Sequence, residues 1–399
     1  MTTSASAIHD QCTDYVAHVA HYRDGLRAFL RDTDWITQWR SAAFSTVEDE
    51  IAHDAAILGR LYENGWSRYG WPTEAGGLGG TALHRAVYYE ELARALLPAP
   101  AQHWTLEVLG PVLLKYSPQI ASQYLPRYLR GQEWWGQGFS EPESGSDLAT
   151  LRTRASDDGP EGFVLNGQKI WTSQGPTATR FLVLARTGTP ESRHRGLTTF
   201  LVDSDSPGVT VRPISLASGR RELAEVFFDG VRVPRDRVVG DVDGGWGVAM
   251  HLMQYERGTY SYASLTKALV ALGKLRADMT SRGSTAEQRV RFTRVYLAVL
   301  SAQARCAATV RKLASGTLVG PGSSVDKLLA SHAEKAVNDL ILDLRRNWFI
   351  AGTDGDPERL NAVRAEWWYT RASTIMGGTA EIQRGIIADH LLGLPKERR

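Results

Sequence analysis

The chain has 399 residues, of which 43% are hydrophobic and 23% are charged, as in an ordinary globular protein. Its 46 basic and 44 acidic side chains leave a net charge of +2, which excludes the strong basic excess of a nucleic-acid-binding surface. The length predicts two or three domains rather than one core.

The first residues and the cysteines bear on the compartment. Residues 1–11 are polar and lack the apolar centre of a signal peptide. No run approaches the roughly 20 apolar residues that a membrane-spanning helix needs. Cys12 and Cys306 lie far apart and lack the paired spacing of a zinc or redox site. We therefore expect a cytoplasmic protein without a metal site or a membrane span.

Residues 1–133 are predicted to form a helical domain. One amphipathic helix is marked by apolar residues at three- and four-residue spacing, namely Ile51, Ala55, Leu58, Leu61 and Tyr62. Gly65 ends that pattern, and a glycine-rich loop follows over 71–80. Such a loop can cradle a phosphate or make a tight crossing between helices. The crossing is favoured because no strand precedes the loop and no Gly-Lys-Ser follows it. Further helices are expected over 81–97 and 119–129.

Residues 134–240 are predicted to form a β domain. Asn166-Gly167 is a strong hairpin signal, so two short strands are expected between Phe163 and Trp171. Later strands are expected over 181–185, 197–202, 209–214 and 224–233, with turns at 206–208 and 229–230. Short strands at this spacing predict a compact antiparallel sandwich or barrel.

Residues 241–399 return to a helical pattern. Helices are expected over 246–275, 287–313, 324–349 and 366–392, with Gly258 as a weak point in the first and a loop at 351–357. Four helices of this length predict a four-helix bundle. The fold class is therefore α+β, with an N-terminal helical domain, a central antiparallel β sandwich or barrel and a C-terminal four-helix bundle.

Two loops of the β domain carry groups that suit a flat, polar-rimmed ring. Residues 139–147 read Phe-Ser-Glu-Pro-Glu-Ser-Gly-Ser-Asp, and residues 171–175 read Trp-Thr-Ser-Gln-Gly. A plain turn is the alternative for the first loop, with the hydroxyls bonded to their own backbone. Together the loops resemble the flavin-binding signature of the acyl-CoA dehydrogenase family. The resemblance implies that Ser140, Ser146, Trp171 and Ser173 bind FAD.

A third motif lies near the C-terminus. Residues 377–384 read Gly-Gly-Thr-Ala-Glu-Ile-Gln-Arg, which is similar to the family's C-terminal signature. The resemblance assigns Thr379 and Glu381 to the cofactor. As local chemistry, Thr379 is also a suitable helix N-cap, and the two roles do not exclude each other.

Membership of this family would imply a reaction and partners. Its members use FAD to oxidise an acyl thioester between the α and β carbons, with a carboxylate as base and the flavin as hydride acceptor. The implied partners are the acyl thioester, which Ser146 and Arg257 would contact, and an electron-transfer flavoprotein or a similar acceptor. A homodimer or homotetramer is expected, in lipid metabolism, and the order of the three predicted domains is that of the family.

One position departs from the family pattern. Many members carry the catalytic glutamate where this chain has Gly377, which cannot act as a base. Isovaleryl- and long-chain-type members carry it on a helix of the bundle, in a Glu-Arg pair, and this chain has Glu256-Arg257 there. Glu256 in an otherwise apolar stretch is therefore the expected base. The alternative is a surface glutamate paired with a neighbouring arginine.

Two further departures keep other functions open. The family's Arg-x-x-Phe-Gly segment is absent around 281–285, and its Gly-Gly-x-Gly loop has only Gly352-Thr353-Asp354-Gly355 as a counterpart. These segments normally reach the FAD, so a half-site or non-catalytic subunit of a hetero-oligomer is one alternative. A flavin oxidase or monooxygenase on the same fold is another.

Overall fold

The computed structural model describes residues 5–31, 33–42, 44, 46–352 and 357–395, and for residues 5–15 and 358 it describes the backbone alone. Helices, a single sheet and then helices again follow one another along the chain, which confirms the fold class expected from the sequence. The boundaries of the three domains remain a prediction. Within the described ranges, no helix combines the length and apolar character needed to span a membrane.

The N-terminal region is helical. Its helices are α1 (Ala5–Phe29), α2 (Asp34–Arg40), α3 (Val47–Glu63), α4 (Ala82–Arg94), α5 (Gln102–Tyr116) and α6 (Pro118–Leu129). The apolar stripe of α3 buries Leu58 and Leu61, as its spacing predicts. The loop between α3 and α4 is a tight crossing. A Cβ at Gly77 would lie 1.9 Å from the Trp71 carbonyl oxygen, so only glycine fits.

The central region is one sheet of eight strands. They are β1 (Trp135–Gly138), β2 (Arg154–Asp157), β3 (Phe163–Ser173), β4 (Arg180–Arg186), β5 (Leu197–Asp203), β6 (Val209–Ile214), β7 (Leu223–Val233) and β8 (Val238–Val239). The order is β6-β7-β3-β2-β4-β5-β8, with β1 beside β4. The β1–β4 and β2–β4 pairs are parallel and the other pairs are antiparallel. One face buries an apolar cluster that includes Phe181, Phe200 and Val226.

The predicted hairpin at Asn166-Gly167 is wrong. Residues 163–173 form one continuous strand, and the register shifts between Leu165 and Gly167 at a bulge. The reason is that β3 is paired on both sides, with β2 and with β7, so the chain cannot reverse there. The turn expected at 229–230 is wrong for the same reason. It lies inside β7 opposite the bulge, where the Gly230 amide donates to Asn166 Oδ1 at 2.8 Å.

The C-terminal region is helical again. Its helices are α7 (Gly245–Tyr255), α8 (Ser261–Arg282), α9 (Ala286–Ala314), α10 (Ser323–Leu344), α11 (Arg346–Ala351), α12 (Pro357–Arg371) and α13 (Ala380–Ile386). Helices α8, α9 and α10 share a buried core that includes Leu272, Val299 and Val337. The predicted loop at 351–357 begins at Gly352, whose φ of 69° ends α11, and its residues 353–356 lie outside the described ranges.

The helix predicted over 246–275 is interrupted at its weak point. Helices α7 and α8 are joined by one π-helical turn, Glu256–Tyr260, which contains Gly258. A Cβ at Gly258 would lie 2.9 Å from Leu313, so glycine lets α9 approach this turn closely. Single π-helical turns within α-helices occur often at functional sites.

The helix predicted over 366–392 is wrong as a single element. Helix α12 ends at Arg371, and a turn over 372–379 precedes α13. Gly377 and Gly378 have φ values of 65° and 91°, which other residues adopt only with strain. The apolar periodicity continues across the turn, which is why the pattern alone did not reveal the break. A second π-helical turn, Ile387–Leu391, follows α13.

Candidate active site

The loop 140–147 is held in place by one of its own residues, the buried Glu141. Glu141 is 7% exposed, and its Oε1 accepts from the Lys169 ammonium and from the Thr153 amide, both at 2.8 Å. Its Oε2 accepts from the Arg152 amide at 2.6 Å. Every oxygen of this carboxylate therefore has a donor, which fixes the position of the loop.

The Glu141–Lys169 pair is a buried ion pair within the sheet. Burial acts to raise the pKa of Glu141, but Lys169 and the hydrogen bonds outweigh burial, so the pKa is lowered. Burial lowers the pKa of fully buried Lys169 to about 8, against the attraction of Glu141. Sequence reasoning missed this pair. Its only local signal is a lysine at an inward position of a β strand.

The two serines predicted to bind the cofactor in this loop, Ser140 and Ser146, have different surroundings. The Ser140 carbonyl accepts from the Ile170 amide at 2.9 Å, which joins the loop to β3. Ser146 is exposed. Ser144 donates to the Asp147 carbonyl at 2.8 Å, so the turn that was the alternative reading is also present. It leaves the Ser146 side chain facing solvent.

Trp171 combines an exposed aromatic side chain with an uncommon backbone conformation. Its side chain is 54% exposed although the ring is large and apolar. Its backbone has a φ of 60°, which is uncommon for a bulky residue, and it lies where the β3–β7 register shifts between Lys169 and Thr172. Ser173, two residues on, is exposed as well. A strained bulge that holds an aromatic ring in solvent is typical of a binding position.

Glu256 lies against the backbone of Gly377. A Cβ built on Gly377 would be 2.4 Å from Glu256 Oε1, so the carboxylate occupies the space that a side chain at position 377 would need. Glu256 is half-buried. No described residue makes a hydrogen bond or an ion pair with its carboxylate. A partly buried carboxylate without partners is suited to accept a proton.

Arg257 is half-buried and contacts the turn at Gly377. One terminal nitrogen of its guanidinium donates to the Gly377 carbonyl at 3.3 Å, and its Nε has no partner among the described residues. Burial lowers the pKa of Arg257, and Glu256 opposes that shift. Arg257 and Glu256 therefore contact Gly377 from one π-helical turn.

Thr379 and Glu381 lie just after this turn. Thr379 caps α13, since its hydroxyl accepts from the Ile382 amide at 3.2 Å, and this confirms the predicted N-cap. Glu381 is exposed, and its pKa is lowered by its own backbone amide and by the Thr379 hydroxyl. Gln383 is fully buried, and its amide donates to the carbonyls of Gly377 and Gly378, both at 3.2 Å.

Lys327 was not identified from the sequence. Its ammonium donates to the Ser373 carbonyl at 2.8 Å, at the start of the turn that leads to Gly377. The built Cβ of Gly377 would be 3.6 Å from Lys327 Cε, so this lysine flanks the same space as Glu256. The sequence holds no signal for it, because α10 is separate in the chain from both partners.

The predicted site residues fall into two groups. Glu256, Arg257 and Thr379 surround the turn at Gly377, and Glu381 follows it on α13. Ser140, Ser146, Trp171 and Ser173 belong to the loop 140–147 and to β3. Within the described part of the chain, no hydrogen bond, ion pair or ring contact joins the two groups.

No cluster of histidine, cysteine or acidic residues suited to a metal ion occurs among the residues that the structure describes. Cys306 is buried, and burial raises the pKa of its thiol above the ordinary range, as in an unreactive core position. The side chain of Cys12 lies outside the described residues.

Most of the chain matches the domains of one known protein family. The acyl-CoA dehydrogenase N-terminal domain matches residues 20–132, the middle domain 136–231 and the C-terminal domain 243–392. Acyl-CoA dehydrogenase IpdE1 of Mycobacterium tuberculosis is 38% identical over 350 residues, which cover 85% of this chain and 88% of that protein.

Two solved structures are also similar. The Tcur3481-Tcur3483 steroid ACAD superposes with a TM-score of 0.80 at 26% identity, over 96% of this chain and 98% of that one. The ChsE4-ChsE5 complex from Mycobacterium tuberculosis superposes with a TM-score of 0.76 at 25% identity, over 95% and 98% of the two chains. The protein belongs to the acyl-CoA dehydrogenase family and is an acyl-CoA dehydrogenase.

Proposed function

We propose that Glu256 is the base that removes the α proton of the acyl-CoA substrate and that FAD is the cofactor. The observation that carries this proposal is the contact between Glu256 and Gly377. The glutamate that many family members carry is replaced by glycine, and the Glu256 carboxylate lies against that glycine. A side chain at 377 and Glu256 in its present position would exclude each other, so the two residues act as a matched pair.

The residues present fit FAD. Trp171 offers an exposed ring for stacking, and Ser146 and Ser173 offer exposed hydroxyls. Beside the Gly377 turn, the Arg257 Nε and the Gln383 Oε1 are buried without a partner among the described residues. Such atoms are rare in folded proteins, and a bound polar ligand is one explanation. Ser140, Thr379 and Glu381 are proposed as further contacts.

Each of three residues of this chain would then have a separate role in the dehydrogenation. Glu256 accepts the α proton at a carboxylate oxygen. Arg257 holds the turn at the Gly377 carbonyl, and with Ser146 it is proposed to contact the substrate. Bound FAD supplies the acceptor for the hydride that leaves the β carbon. Partial burial of Glu256 limits its contact with water and favours proton abstraction over solvation.

A bulky, ring-bearing acyl group is the substrate class that we propose to test first. One structural relative is named a steroid ACAD. A base on a bundle helix is also compatible with bulky or branched acyl groups, by analogy within the family. Electrons would pass from the flavin to an electron-transfer flavoprotein or a similar acceptor, in the cytoplasm.

The assembly is a second proposal. A homodimer or homotetramer is the simplest arrangement, and an apolar stripe of Val290, Leu297 and Leu300 is exposed on α9 for such a contact. A different partner subunit is supported by the name of one relative, the ChsE4-ChsE5 complex, and by the missing segment around 281–285. In that arrangement this chain would supply one part of a shared site.

The test is an anaerobic bleaching screen of the purified protein. We expect a yellow protein whose flavin absorbance falls when the matching acyl-CoA is added, from a panel that runs from short straight chains to steroid-derived thioesters. A colourless protein that gains flavin only with a second subunit would support the hetero-oligomer. Rapid oxygen consumption during turnover would support an oxidase. A yellow protein that no thioester bleaches would contradict the proposed reaction.

A further inference from the structure

The turn over 372–379 is held by cations from two elements. Lys327 of α10 donates to the Ser373 carbonyl at 2.8 Å, and Lys335, two turns further along the same helix, reaches Thr374 Oγ1 at 3.5 Å. Arg257 donates to the Gly377 carbonyl at 3.3 Å from the π-helical turn. The backbone that faces Glu256 is therefore fixed by charged donors on both sides.

Lys327 differs from Lys335 in what else it faces. Lys327 Cε and Glu256 Oε1 both lie within 3.6 Å of the position that a Cβ on Gly377 would take. They are thus close neighbours across a residue that has no side chain. Because Gly377 places no side chain between them, the Lys327 ammonium attracts the Glu256 carboxylate across a half-buried gap.

The charges around Lys327 come from its own helix and from the π-helical turn. Glu256 and Arg257 face it from that turn, and Glu334 lies two turns further along α10. Burial lowers the pKa of Lys327, while Glu256 and Glu334 oppose that shift and favour the ammonium form. Glu334 is itself engaged by the Ser264 hydroxyl. Of these two carboxylates, only Glu256 has no hydrogen-bond partner among the described residues.

We propose that Lys327 is a positioning residue for the reaction, which aligns the Glu256 carboxylate beside Gly377 by its charge and by its hydrogen bond to Ser373. The inference rests on the proposed role of Glu256 as base. It assigns a task to a residue of α10 that lies outside every motif in the sequence. Without the ammonium, the Glu256 carboxylate would keep its contact with Gly377 but would lose the attraction of a neighbouring cation.

The experiment compares flavin-loaded full-length wild type with Lys327→Met, Lys327→Arg and Lys335→Met. The probe is the acyl-CoA that bleaches the wild-type flavin fastest. Two readouts are followed against pH: kcat/KM, and the incorporation of deuterium at the α carbon of the thioester in D2O without oxygen, measured by mass spectrometry. Exchange reports the base directly, because it needs proton removal and return but no hydride transfer. The acid limb of kcat/KM reports an essential base of the free enzyme.

We expect Lys327→Met to move the acid limb of both profiles upward by about one pH unit. Lys327→Arg should restore most of the shift, and Lys335→Met should leave the limb in place. If Lys327→Met does not fold, Lys327→Gln, which keeps a donor but not the charge, should show the same shift. An equal fall in rate at every pH, or the same shift in Lys335→Met, would overturn the inference. Undiminished exchange in Glu256→Gln would instead overturn the proposed base and leave Lys327 without a catalytic partner.

Discussion

Two glutamates of this chain, one in the sheet and one in the bundle, have opposite surroundings. Glu141 lies inside the loop that resembles a flavin-binding signature, and its carboxylate is bonded to Lys169 and to the amides of Arg152 and Thr153. Glu256 lies on a π-helical turn, beside Gly377, and its carboxylate has no hydrogen-bond partner among the described residues. A carboxylate whose oxygens are all bonded holds structure, whereas one without partners can accept a proton. A sequence motif therefore indicates where a binding site lies, whereas the hydrogen bonds of each glutamate indicate whether it is structural or can act as a base.

The largest stability effect is expected from Lys169→Met. This change removes the ammonium and leaves the Glu141 carboxylate buried with backbone donors only. Loss of one member of a buried pair destabilises a fold by about 3–5 kcal/mol. The measurement is the denaturant midpoint, with Lys169→Met/Glu141→Gln as the matched control that removes both charges. We expect the double variant to recover part of the loss. Equal stability of Lys169→Met and wild type would show that the pair does not hold the loop.

Gly377→Ala should displace the carboxylate of Glu256, the glutamate of the bundle. The new Cβ would lie 2.4 Å from Glu256 Oε1, so the carboxylate must move. Displacing a catalytic group by about 1 Å can cost roughly 100-fold, and we expect kcat to fall by about 10- to 100-fold. Gly316→Ala is the control, because Gly316 has a similar φ of 72° and open space around its Cβ position. Equal effects of the two variants on kcat would mean that backbone strain, and not the displaced carboxylate, is responsible.

Trp171→Ala tests another residue of β3, the strand that also holds Lys169. The exposed ring contributes little to the core, so thermal stability should change little. If the ring stacks on FAD, the affinity for FAD should fall roughly 2- to 10-fold. The check is FAD titration of the flavin-stripped protein, with Trp171→Phe expected to retain most of the affinity. Unchanged FAD binding in Trp171→Ala would remove this residue from the cofactor site.

The smallest expected effect is on the thermal stability at acid pH that Glu141 contributes. The pKa of Glu141 is lowered in the folded chain, so the unfolded chain binds more protons in the window below the ordinary carboxyl pKa of about 4.3. The stability that ionised Glu141 contributes is complete above that window and is lost as the pH falls through the lower folded value. The difference in melting temperature between wild type and Glu141→Gln should therefore narrow below about pH 4.3. A difference that stays constant down to pH 3 would contradict the assignment.

The sequence predicted the fold class, the N-cap at Thr379 and the weak point at Gly258. It could not show that Glu256 and Gly377 touch, because the two residues are far apart in the chain and meet only through the packing of the bundle. It was wrong at Asn166-Gly167 because a hairpin signal is local, whereas β3 is held straight by partners on both sides. Lys327 was missed because a lysine on a half-buried helix face resembles any surface lysine until the turn at Gly377 is in place.

The most direct test of the account is α-proton exchange in Glu256→Gln. The flavin-loaded variant is incubated in D2O with the acyl-CoA that bleaches wild type, and deuterium at the α carbon is followed by mass spectrometry. We expect flavin content to be retained and exchange and bleaching to fall by about 10²- to 10⁴-fold, while Glu63→Gln, an exposed glutamate at the end of α3, behaves as wild type. Exchange at the wild-type rate in Glu256→Gln would show that another group removes the proton.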